Sequence, residues 1–290
     1  MSRITEYSAI ATTAGLTALD DSDVFIVDGT NGNRKITAKE LANAIIDKGV
    51  KNAAGTPYSK GSFYRGANLG SGATFEAAST SAQRTAISSG TFEGLFIGDY
   101  WTVNGKVYRI ADFNYWLRIG DTDFNTNHIV LVPDASFGND KMNTDNITTG
   151  AYVGSEMYTA AGSVLNTART TIASDFGGYL CTHRLYLPNA TSNGMESAGA
   201  WCDSTVDLMS EIMVYGDRIR NPANFYTTEK SQLALFRLSP RAVNTRYSYW
   251  LRDVVSSAYF ARVYSNGYAC YNNASSSIGV RPAFAVKGTA

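Results

Sequence analysis

The residues with the clearest potential for binding are tyrosines near the carboxyl end of the chain. Antibody loops use Tyr with Ser, Asn and Gly because Tyr gives a large rigid contact area and the others give adaptable hydrogen bonds. Tyr is also a favoured strand residue, so the composition suits half-buried strands equally well. Six of the 18 tyrosines fall within 25 residues, interleaved with Ser, Asn, Gly and Arg: Tyr247, Tyr249, Tyr259, Tyr264, Tyr268 and Tyr271.

A second feature of this segment is the set of residue types that it lacks. From Leu251 to Val286 the sequence contains no Lys, Glu, Gln, Met, Trp or His. Randomising the first two bases of an adenine-adenine-pyrimidine codon cannot produce Lys, Glu, Gln, Met or Trp. The absence fits deliberate diversification, and chance in so short a window is the alternative.

An alternating run of oxygen ligands, Asp121-Thr-Asp123-Phe-Asn125-Thr-Asn127, resembles the start of a calcium loop. An EF-hand requires Gly at its sixth position and Glu at its twelfth, where this sequence has Thr126 and Val132. A polar loop of Asx turns is the favoured interpretation. The sequence therefore predicts no metal site here.

Catalytic residue types lack the spacing that catalysis needs. His128 and His183 have no second His, Cys or carboxylate at metal-ligand spacing, and no nucleophile elbow or phosphate loop occurs. Two carboxylate pairs would suit a glycosidase only at a defined separation, so structural hydrogen bonding is favoured for both. These pairs are Asp99 with Asp112 and Asp203 with Glu211. No catalytic constellation and no cofactor are predicted.

Composition limits the classes of partner. Lys and Arg balance Asp and Glu at 25 each, only 17% of residues are charged, and no block of like charge occurs. Nucleic acid and membrane insertion are therefore not predicted. The amino terminus has no signal-peptide pattern, which predicts folding in the cytoplasm. The three cysteines, Cys181, Cys202 and Cys270, predict free thiols instead of a disulfide framework.

The elements that would position these residues begin with a small N-terminal unit. Val24 to Val27 and Arg34 to Ile36 are predicted strands of a hairpin with its turn at Asn31-Gly32. A helix follows, with Thr37 and Glu40 as a capping box. A unit of about fifty residues is too small to be very stable alone, which predicts docking or oligomerisation.

The remaining chain changes character twice. Residues 51 to 78 are rich in Gly, Ala, Ser and Asn with little periodicity, which favours a linker or extended arm. Thr80 and Gln83 then predict the cap of a short helix from about Ser81 to Ser88. From Gly94 onward the sequence is compact and aromatic, which indicates a folded domain.

Elements of this domain follow from periodicity and turn signals. Strands are predicted at Leu95 to Ile97, Tyr100 to Val103, Lys106 to Ile110, His128 to Val132, Leu233 to Leu238, Tyr259 to Ser265, Tyr268 to Asn272 and Val280 to Val286. Helices are predicted from about Ser163 to Phe176 and from Asp203 to about Ser210. The pattern predicts an α+β fold with its helices in the middle of the domain.

Several phrases of the chain resemble a widespread family of phage and prophage proteins. These have a C-type-lectin-like, or formylglycine-generating-enzyme-like, C-terminal domain. The resemblance spans roughly residues 62 to 287, and its most specific part is W-L-R-D followed about thirty residues later by G-V-R-P-A-F. The phrases are GDYWTVNGKVYRIADF (98 to 113), HIVLVPD (128 to 134), MNTDNITTGAYVGSEMY (142 to 158), LMSEIMVYGD (208 to 217), QLALFRLSP (232 to 240), YWLRDVVSS (249 to 257) and GVRPAFAV (279 to 286).

In related proteins this face carries a region diversified by retroelements, as in the tropism determinant of a Bordetella phage. The resemblance implies a buried framework of Trp250, Leu251, Arg252, Gly279, Val280, Arg281, Pro282 and Phe284. It implies a displayed ligand-binding surface of Tyr247, Tyr249, Asp253, Ser257, Tyr259, Phe260, Arg262, Tyr264, Asn266, Tyr268, Tyr271, Asn272, Asn273 and Ser275. The calcium-binding tripeptides of sugar-binding C-type lectins are absent, so metal-dependent sugar recognition is not implied.

The first 45 or so residues are similar to the opening of many phage tail-fibre and head-fibre proteins, where that segment attaches the fibre to the particle. Such fibres are commonly trimers. The combined hypothesis is a non-enzymatic virion protein, assembled in the host cytoplasm, that adheres to a host surface protein or glycan. Residues 1 to 50 would dock to a virion protein, 51 to 93 would link and help a homotrimer to form, and 94 to 290 would bind the ligand.

Two other classes of protein stay open at this point. One is a polysaccharide-degrading enzyme carried by the same kind of fibre. The other is a purely structural decoration protein, in which the tyrosines pack against a neighbouring subunit. The position of the tyrosines in the fold bears on both alternatives, because it decides which of the rings meet solvent.

Overall fold

The structure is a computed structural model that describes residues 24–27, 34–37, 60–223, 226–229 and 231–290. The chain divides into two units, residues 1–58 and 59–290. In the first unit, β1 (Val24–Val27) pairs antiparallel with β2 (Arg34–Thr37). The two predicted strands are thereby confirmed. The predicted turn at Asn31-Gly32 and the predicted helix after Thr37 lie outside the described residues.

Much of the core packs against the larger sheet of the second unit. Its six described strands run in the order β10, β15, β6, β5, β4, β3, and neighbours are antiparallel except for the parallel pair β3 and β4. All residues of β6 and β15 are buried, as expected for continuous apolar strands covered on both faces. The strands are β3 (Asn68–Gly72), β4 (Tyr100–Val103), β5 (Lys106–Phe113), β6 (Ile129–Pro133), β10 (Val206–Leu208) and β15 (Pro282–Val286).

A second sheet carries most of the predicted recognition segment. Its five described strands run in the order β13, β12, β11, β14, β7, and β11 pairs parallel with β14. Only Val280 and Arg281 separate β14 from β15, so the chain passes directly from this sheet into the larger one. The strands are β7 (Asn139–Asp140), β11 (Tyr249–Val254), β12 (Tyr259–Val263), β13 (Ala269–Asn273) and β14 (Ile278–Gly279).

Short helices and one long hairpin complete the described part of the second unit. The hairpin consists of β8 (His183–Ser192) and β9 (Met195–Ser204). The α-helices are α1 (Phe75–Ala78), α2 (Ser81–Ser88), α3 (Glu156–Thr159), α4 (Val164–Phe176), α5 (Glu211–Tyr215) and α6 (Ala234–Leu238). Single 3-10 turns occupy Lys60–Ser62, Gly177–Tyr179 and Pro240–Ala242. No helix in these described stretches is long and apolar enough to cross a membrane.

The α+β prediction is confirmed, and so are the predicted Thr80–Gln83 cap and the predicted helix from about Ser163 to Phe176. The Thr80 side chain accepts a hydrogen bond from the Gln83 backbone, and the Gln83 side chain accepts one from the Thr80 backbone. Ser163 caps α4 through the Asn166 backbone N–H, and Gly177 ends that helix at a φ of 52°. The Thr80–Gln83 pattern and the glycine stop at Gly177 act within a few residues of the chain, which is why sequence rules locate them.

Three predicted elements of the domain are wrong. The predicted helix from Asp203 to Ser210 is instead the end of β9 and then β10, and a helix begins only at Glu211, with Ser210 as its cap. Val206–Leu208 pairs with β15, a partner about 75 residues away that overrides the local cap pattern. The predicted strand Leu233 to Leu238 is helix α6, and Leu95 to Ile97 forms only an isolated bridge from Ile97 to Tyr64.

The predicted linker is the largest difference, because the described residues 60–93 pack into the second unit. The Phe75 ring is fully buried, with its centroid 5.4 Å from Trp101 and 5.3 Å from Phe176. The small residues reflect close packing instead of a free arm: a Cβ on Gly72 would lie 2.6 Å from the backbone N of Ala78. Residues 51–59 lie outside the described part, and a role of this segment in trimerisation stays a prediction.

Replacement of Phe75 by Ala tests whether this segment is part of the core. Removing a buried Phe costs about 3–5 kcal/mol of the free energy of unfolding, and we expect that loss in urea denaturation. Glu76→Ala, on the exposed side of the same helix, is the control and should change stability by less than about 1 kcal/mol. Equal, small effects of both substitutions would contradict the packing described above.

Candidate functional site

The predicted recognition segment forms a hairpin at the edge of the smaller sheet. We call residues 259–273, comprising β12, β13 and the turn between them, the tyrosine hairpin. Tyr259 lies opposite Asn273 and Val263 lies opposite Ala269. The turn closes where the Gly267 N–H donates to the Tyr264 carbonyl, 2.8 Å away, and Gly267 has a φ of 93° that favours glycine. β13 is the edge strand among the described strands of this sheet.

Four tyrosines of the tyrosine hairpin form two ring pairs. Tyr264 and Tyr268 face each other across the turn, with stacked rings whose centroids are 4.9 Å apart. Tyr259 and Tyr271 form a diagonal pair, 5.1 Å apart. Side chains alternate between the faces of a strand, and 259 and 264 differ by an odd number. The two pairs therefore lie on opposite faces of the tyrosine hairpin.

Each pair has a guanidinium beside it. The Arg262 guanidinium lies 4.8 Å from the ring centroid of Tyr264, and that of Arg220 lies 5.8 Å from Tyr271. Arg220 also donates to the Ala269 carbonyl, which holds it against β13. Cation–π contacts of this kind help to fix the orientation of the Tyr264 and Tyr271 rings.

Exposure separates the residues that a partner can reach from those that it cannot. Tyr268 and Tyr271 are 49% and 43% exposed, and Tyr259 and Tyr264 are half-buried. The polar residues of the predicted surface also reach solvent: Ser257, Asn266 and Ser275 are exposed, and Arg262, Asn272 and Asn273 are half-buried. Ser275 is further held by the Asn146 side chain, which accepts its hydroxyl at 2.7 Å.

Three residues of the predicted surface are buried, and their placement there was wrong. Tyr249 and Phe260 are fully buried, and Asp253 is 6% exposed. Tyr249 and Asp253 belong to β11, whose six residues are all buried because the strand lies in the middle of its sheet with both faces covered. Phe260 points into the core from β12. Tyr247 is half-buried, and its hydroxyl donates to the Asp134 carbonyl at 2.8 Å.

The predicted framework residues are buried in every case. They are Trp250, Leu251, Arg252, Gly279, Val280, Arg281, Pro282 and Phe284. Arg281 connects the end of β6 to the 3-10 turn at 240–242, because its guanidinium donates to the carbonyls of Pro133 and Ala242. Trp250 donates from its indole to the Asp140 carbonyl at 2.8 Å, which ties β11 to β7. These contacts hold the tyrosine hairpin on a rigid base.

A second aromatic group lies at the β8–β9 hairpin and was not predicted from the sequence. Tyr186 lies directly opposite Trp201, with ring centroids 5.4 Å apart, and Tyr226 packs 5.4 Å from Tyr186 while remaining 58% exposed. The available signal was Asn193-Gly194, whose positive φ angles of 50° and 74° suit a two-residue hairpin turn. Counting outward from that turn pairs residue 186 with residue 201.

Buried carboxylates beneath the tyrosine hairpin have structural roles. Glu196 accepts the N–H of Val254, Asp253 accepts that of Glu211, and Glu211 accepts those of residues 219–221. Burial raises the pKa of Glu196 and of Glu211, and burial with the charges of these two groups raises that of Asp253. The adjoining cavity measures only about 10 Å³, which is too small for a sugar.

A buried ion pair borders this cluster. Arg252 pairs with Glu229, and both side chains are almost completely buried. Burial alone would raise the pKa of Glu229, but the adjacent Arg252 guanidinium lowers it below its usual value. The Glu229 carboxylate therefore remains charged inside the protein, where it neutralises Arg252.

The other candidate chemical residues serve the fold. Asp99 pairs with Arg65 and accepts two backbone N–H groups, and Asp112 accepts those of Phe113 and Ala234. Asp203 instead is exposed and pairs with Arg184. In the described part of the chain, no three His, Cys, Asp or Glu side chains group as metal ligands.

The histidines and cysteines are likewise parts of the interior or its border. Burial lowers the pKa of His128 to about 4 and that of His183 to about 3, and the His183 ring stacks 4.1 Å from Trp116. All three cysteines are free, and only Cys181 is buried, where burial raises its pKa to about 11. Neutral, buried imidazoles of this kind contribute packing to the core.

Comparison with known proteins gives one match. Residues 191–288 match a family described as a domain of unknown function, DUF6273, and this region includes the whole tyrosine hairpin. That description names no activity, so the match assigns none to this chain. No curated protein and no solved structure matches significantly.

The assignment of Phe260 to the core and of Tyr268 to the exposed surface of the tyrosine hairpin can be tested by measuring the free energy of unfolding. Phe260→Ala should lower the free energy of unfolding by about 3–5 kcal/mol because it opens a cavity in the core. Tyr268→Ala, eight residues on in the same hairpin, should change it by less than about 1 kcal/mol. Chemical denaturation of both variants checks this, and a larger loss for Tyr268→Ala would reverse the assignment.

The raised pKa of Asp253 predicts a pH dependence. Its protonated form favours folding, so this contribution is present at low pH and is lost as pH rises through the raised pKa. Asp253→Asn keeps an oxygen for the Glu211 N–H and cannot ionise. From about pH 4 to about pH 8 the wild type should lose stability relative to this variant, by at most about 1.4 kcal/mol per pH unit.

The control for this measurement is Asp145→Asn, which removes an exposed carboxylate. Its unfolding free energy should follow that of the wild type across the same pH range. Parallel curves for wild type and Asp253→Asn would show that Asp253 has the same pKa in the folded and unfolded chains.

Proposed function

We propose that this chain is a receptor-binding protein of a bacteriophage virion, which adheres to the host surface through the tyrosine hairpin. The observation that carries the proposal is the placement of four tyrosines, in two pairs, on an edge hairpin of a sheet whose central strand is entirely buried. A recognition surface needs this combination of rigid backbone and accessible aromatic rings.

The chemistry around the rings supports a binding role. Tyr268 and Tyr271 offer exposed aromatic surface. Exposed hydrogen-bonding groups lie at both ends of the tyrosine hairpin, with Asn266 in its turn and Ser257 and Ser275 beyond the other ends of its strands. The strands fix the backbone while these side chains can change without altering the core. That property fits the retroelement diversification that the sequence resemblance implies for this segment.

The proposed organisation follows the resemblance. The second unit would be a C-type-lectin-like domain, and residues 1–50 would attach it to a virion protein after assembly in the host cytoplasm. A homotrimer would present three copies of the tyrosine hairpin. Several weak sites on one particle raise the overall strength of attachment through effective concentration, so each site alone needs only modest affinity for a host protein or glycan.

Attachment to cells tests the proposal. Fluorescently labelled full-length protein is incubated with a panel of bacterial strains, and flow cytometry measures the bound fraction. We expect attachment to at least one strain, and a loss of about tenfold or more for the double variant Tyr264→Ser with Tyr268→Ser, because interface tyrosines are frequent hot spots. Tyr226→Ser replaces an exposed tyrosine outside the tyrosine hairpin, which packs against the β8–β9 hairpin; it is the control and should bind as the wild type does.

Light scattering of the same variants distinguishes the competing classes of protein. The adhesion proposal expects an unchanged oligomeric state together with lost attachment. Failure of the double variant to assemble would favour a structural decoration protein, in which the rings are sealed between subunits. Release of reducing ends from capsule or peptidoglycan by the wild type would contradict a binding-only role.

A further inference from the structure

A cavity of about 290 Å³ lies beside the tyrosine hairpin and is lined by three arginines. Arg109 comes from β5, Arg281 from the crossing between β14 and β15, and Arg241 from the 3-10 turn at 240–242. We call it the arginine cavity. Its one carboxylate is Asp134, and Ser239 and Asn244 add a hydroxyl and an amide.

The charges in the arginine cavity do not cancel. Arg109 forms a two-pronged ion pair with Asp134, with N–O distances of 2.6 and 2.7 Å, and these two charges neutralise each other. Arg281 and Arg241 are in ion-pairing distance of none of the described carboxylates. Two positive charges therefore remain without a counter-charge at one cavity.

Arg281 makes this imbalance unusual because its side chain is only 1% exposed. Its guanidinium donates to the carbonyls of Pro133 and Ala242 and lies 5.0 Å from the ring centroid of Tyr249. Carbonyl oxygens and a ring face satisfy hydrogen bonds without neutralising the charge. An uncompensated buried charge is costly, and a bound anion would remove that cost.

The arginine cavity also borders the tyrosine hairpin. Asn244, which lines the cavity, has its Cβ 3.2 Å from the point where a side chain on Gly267 would begin. Gly267 is in the turn between Tyr264 and Tyr268. A ligand that extends past Asn244 would thus come to the turn that carries the Tyr264 and Tyr268 pair. Exposed Arg241 stands at the cavity without an ion pair, where it can meet an incoming anion.

We propose that the arginine cavity binds the carboxylate or phosphate group of an acidic surface saccharide, with the adjoining sugar reaching the Tyr264 and Tyr268 pair. The guanidinium fork matches the geometry of both oxyanions, and the volume is close to the lower limit of small-ligand sites. This inference rests on the adhesion proposal for its biological ligand. It assigns the acidic group to Arg241 and Arg281.

Titration calorimetry of the full-length protein tests the site at low ionic strength with three probes: inorganic phosphate, D-glucuronate and neutral D-glucose. We expect saturable binding of at least one anion and none of glucose. Arg241→Ala should weaken that binding about tenfold, since it removes a charge-assisted contact. Arg118→Ala, an exposed arginine outside the cavity, should leave it unchanged. The anion that binds more tightly identifies the group as phosphate or carboxylate.

The inference is overturned if neither anion binds saturably, if glucose binds equally well, or if Arg241→Ala binds the anion as the wild type does. Because Arg241 is exposed, its replacement keeps the fold, and a thermal melt checks this. If no anion binds but the Tyr264 and Tyr268 double variant loses cell attachment, the anion site is excluded and the adhesion proposal is still supported. Anion binding that depends on Arg241, with normal attachment of that tyrosine variant, supports the site and contradicts adhesion through the tyrosines.

Discussion

Complete burial of strand β11 is the constraint on which the rest of the second unit depends. Its residues Tyr249–Val254 hold β12 on one side and β14 on the other, and β14 leads within two residues into the larger sheet. A strand covered on both faces cannot shift its register without moving large side chains such as Trp250 out of the core. The tyrosine hairpin is attached to this fixed strand, so its rings have a defined place at the edge of the sheet.

Charge inside the same region is handled in three different ways. Arg252 is neutralised by Glu229, Asp253 is buried beside Glu196 and Glu211 with a raised pKa, and Arg281 has carbonyl partners but no described counter-charge. The first two arrangements are complete within the chain. The third is not, which is why the arginine cavity is the place where an external anion would contribute most.

Local rules predicted those elements whose signals lie within a few residues. The Thr80 capping box, the helix from about Ser163 to Phe176 and the strands on either side of Gly267 are examples. Local rules failed where a segment distant in sequence decided the secondary structure or the burial of a residue. Val206–Leu208 is a strand because β15 pairs with it. The small residues of the predicted linker are packed against the domain because Phe75 enters the core.

The buried residues around the tyrosine-rich segment were implied by the family resemblance. The patterns of the sequence itself determined that this is an α+β chain and located the tyrosine-rich segment. These properties depend on composition, period and turn chemistry, which are local. Only the tertiary structure decided that Tyr249, Phe260 and Asp253 are interior while Tyr268 and Tyr271 are exposed, and that three arginines distant in sequence share a cavity. Burial and charge balance depend on which segments meet in space, and β11, with both faces covered, carries no alternating pattern that would have revealed its inward residues.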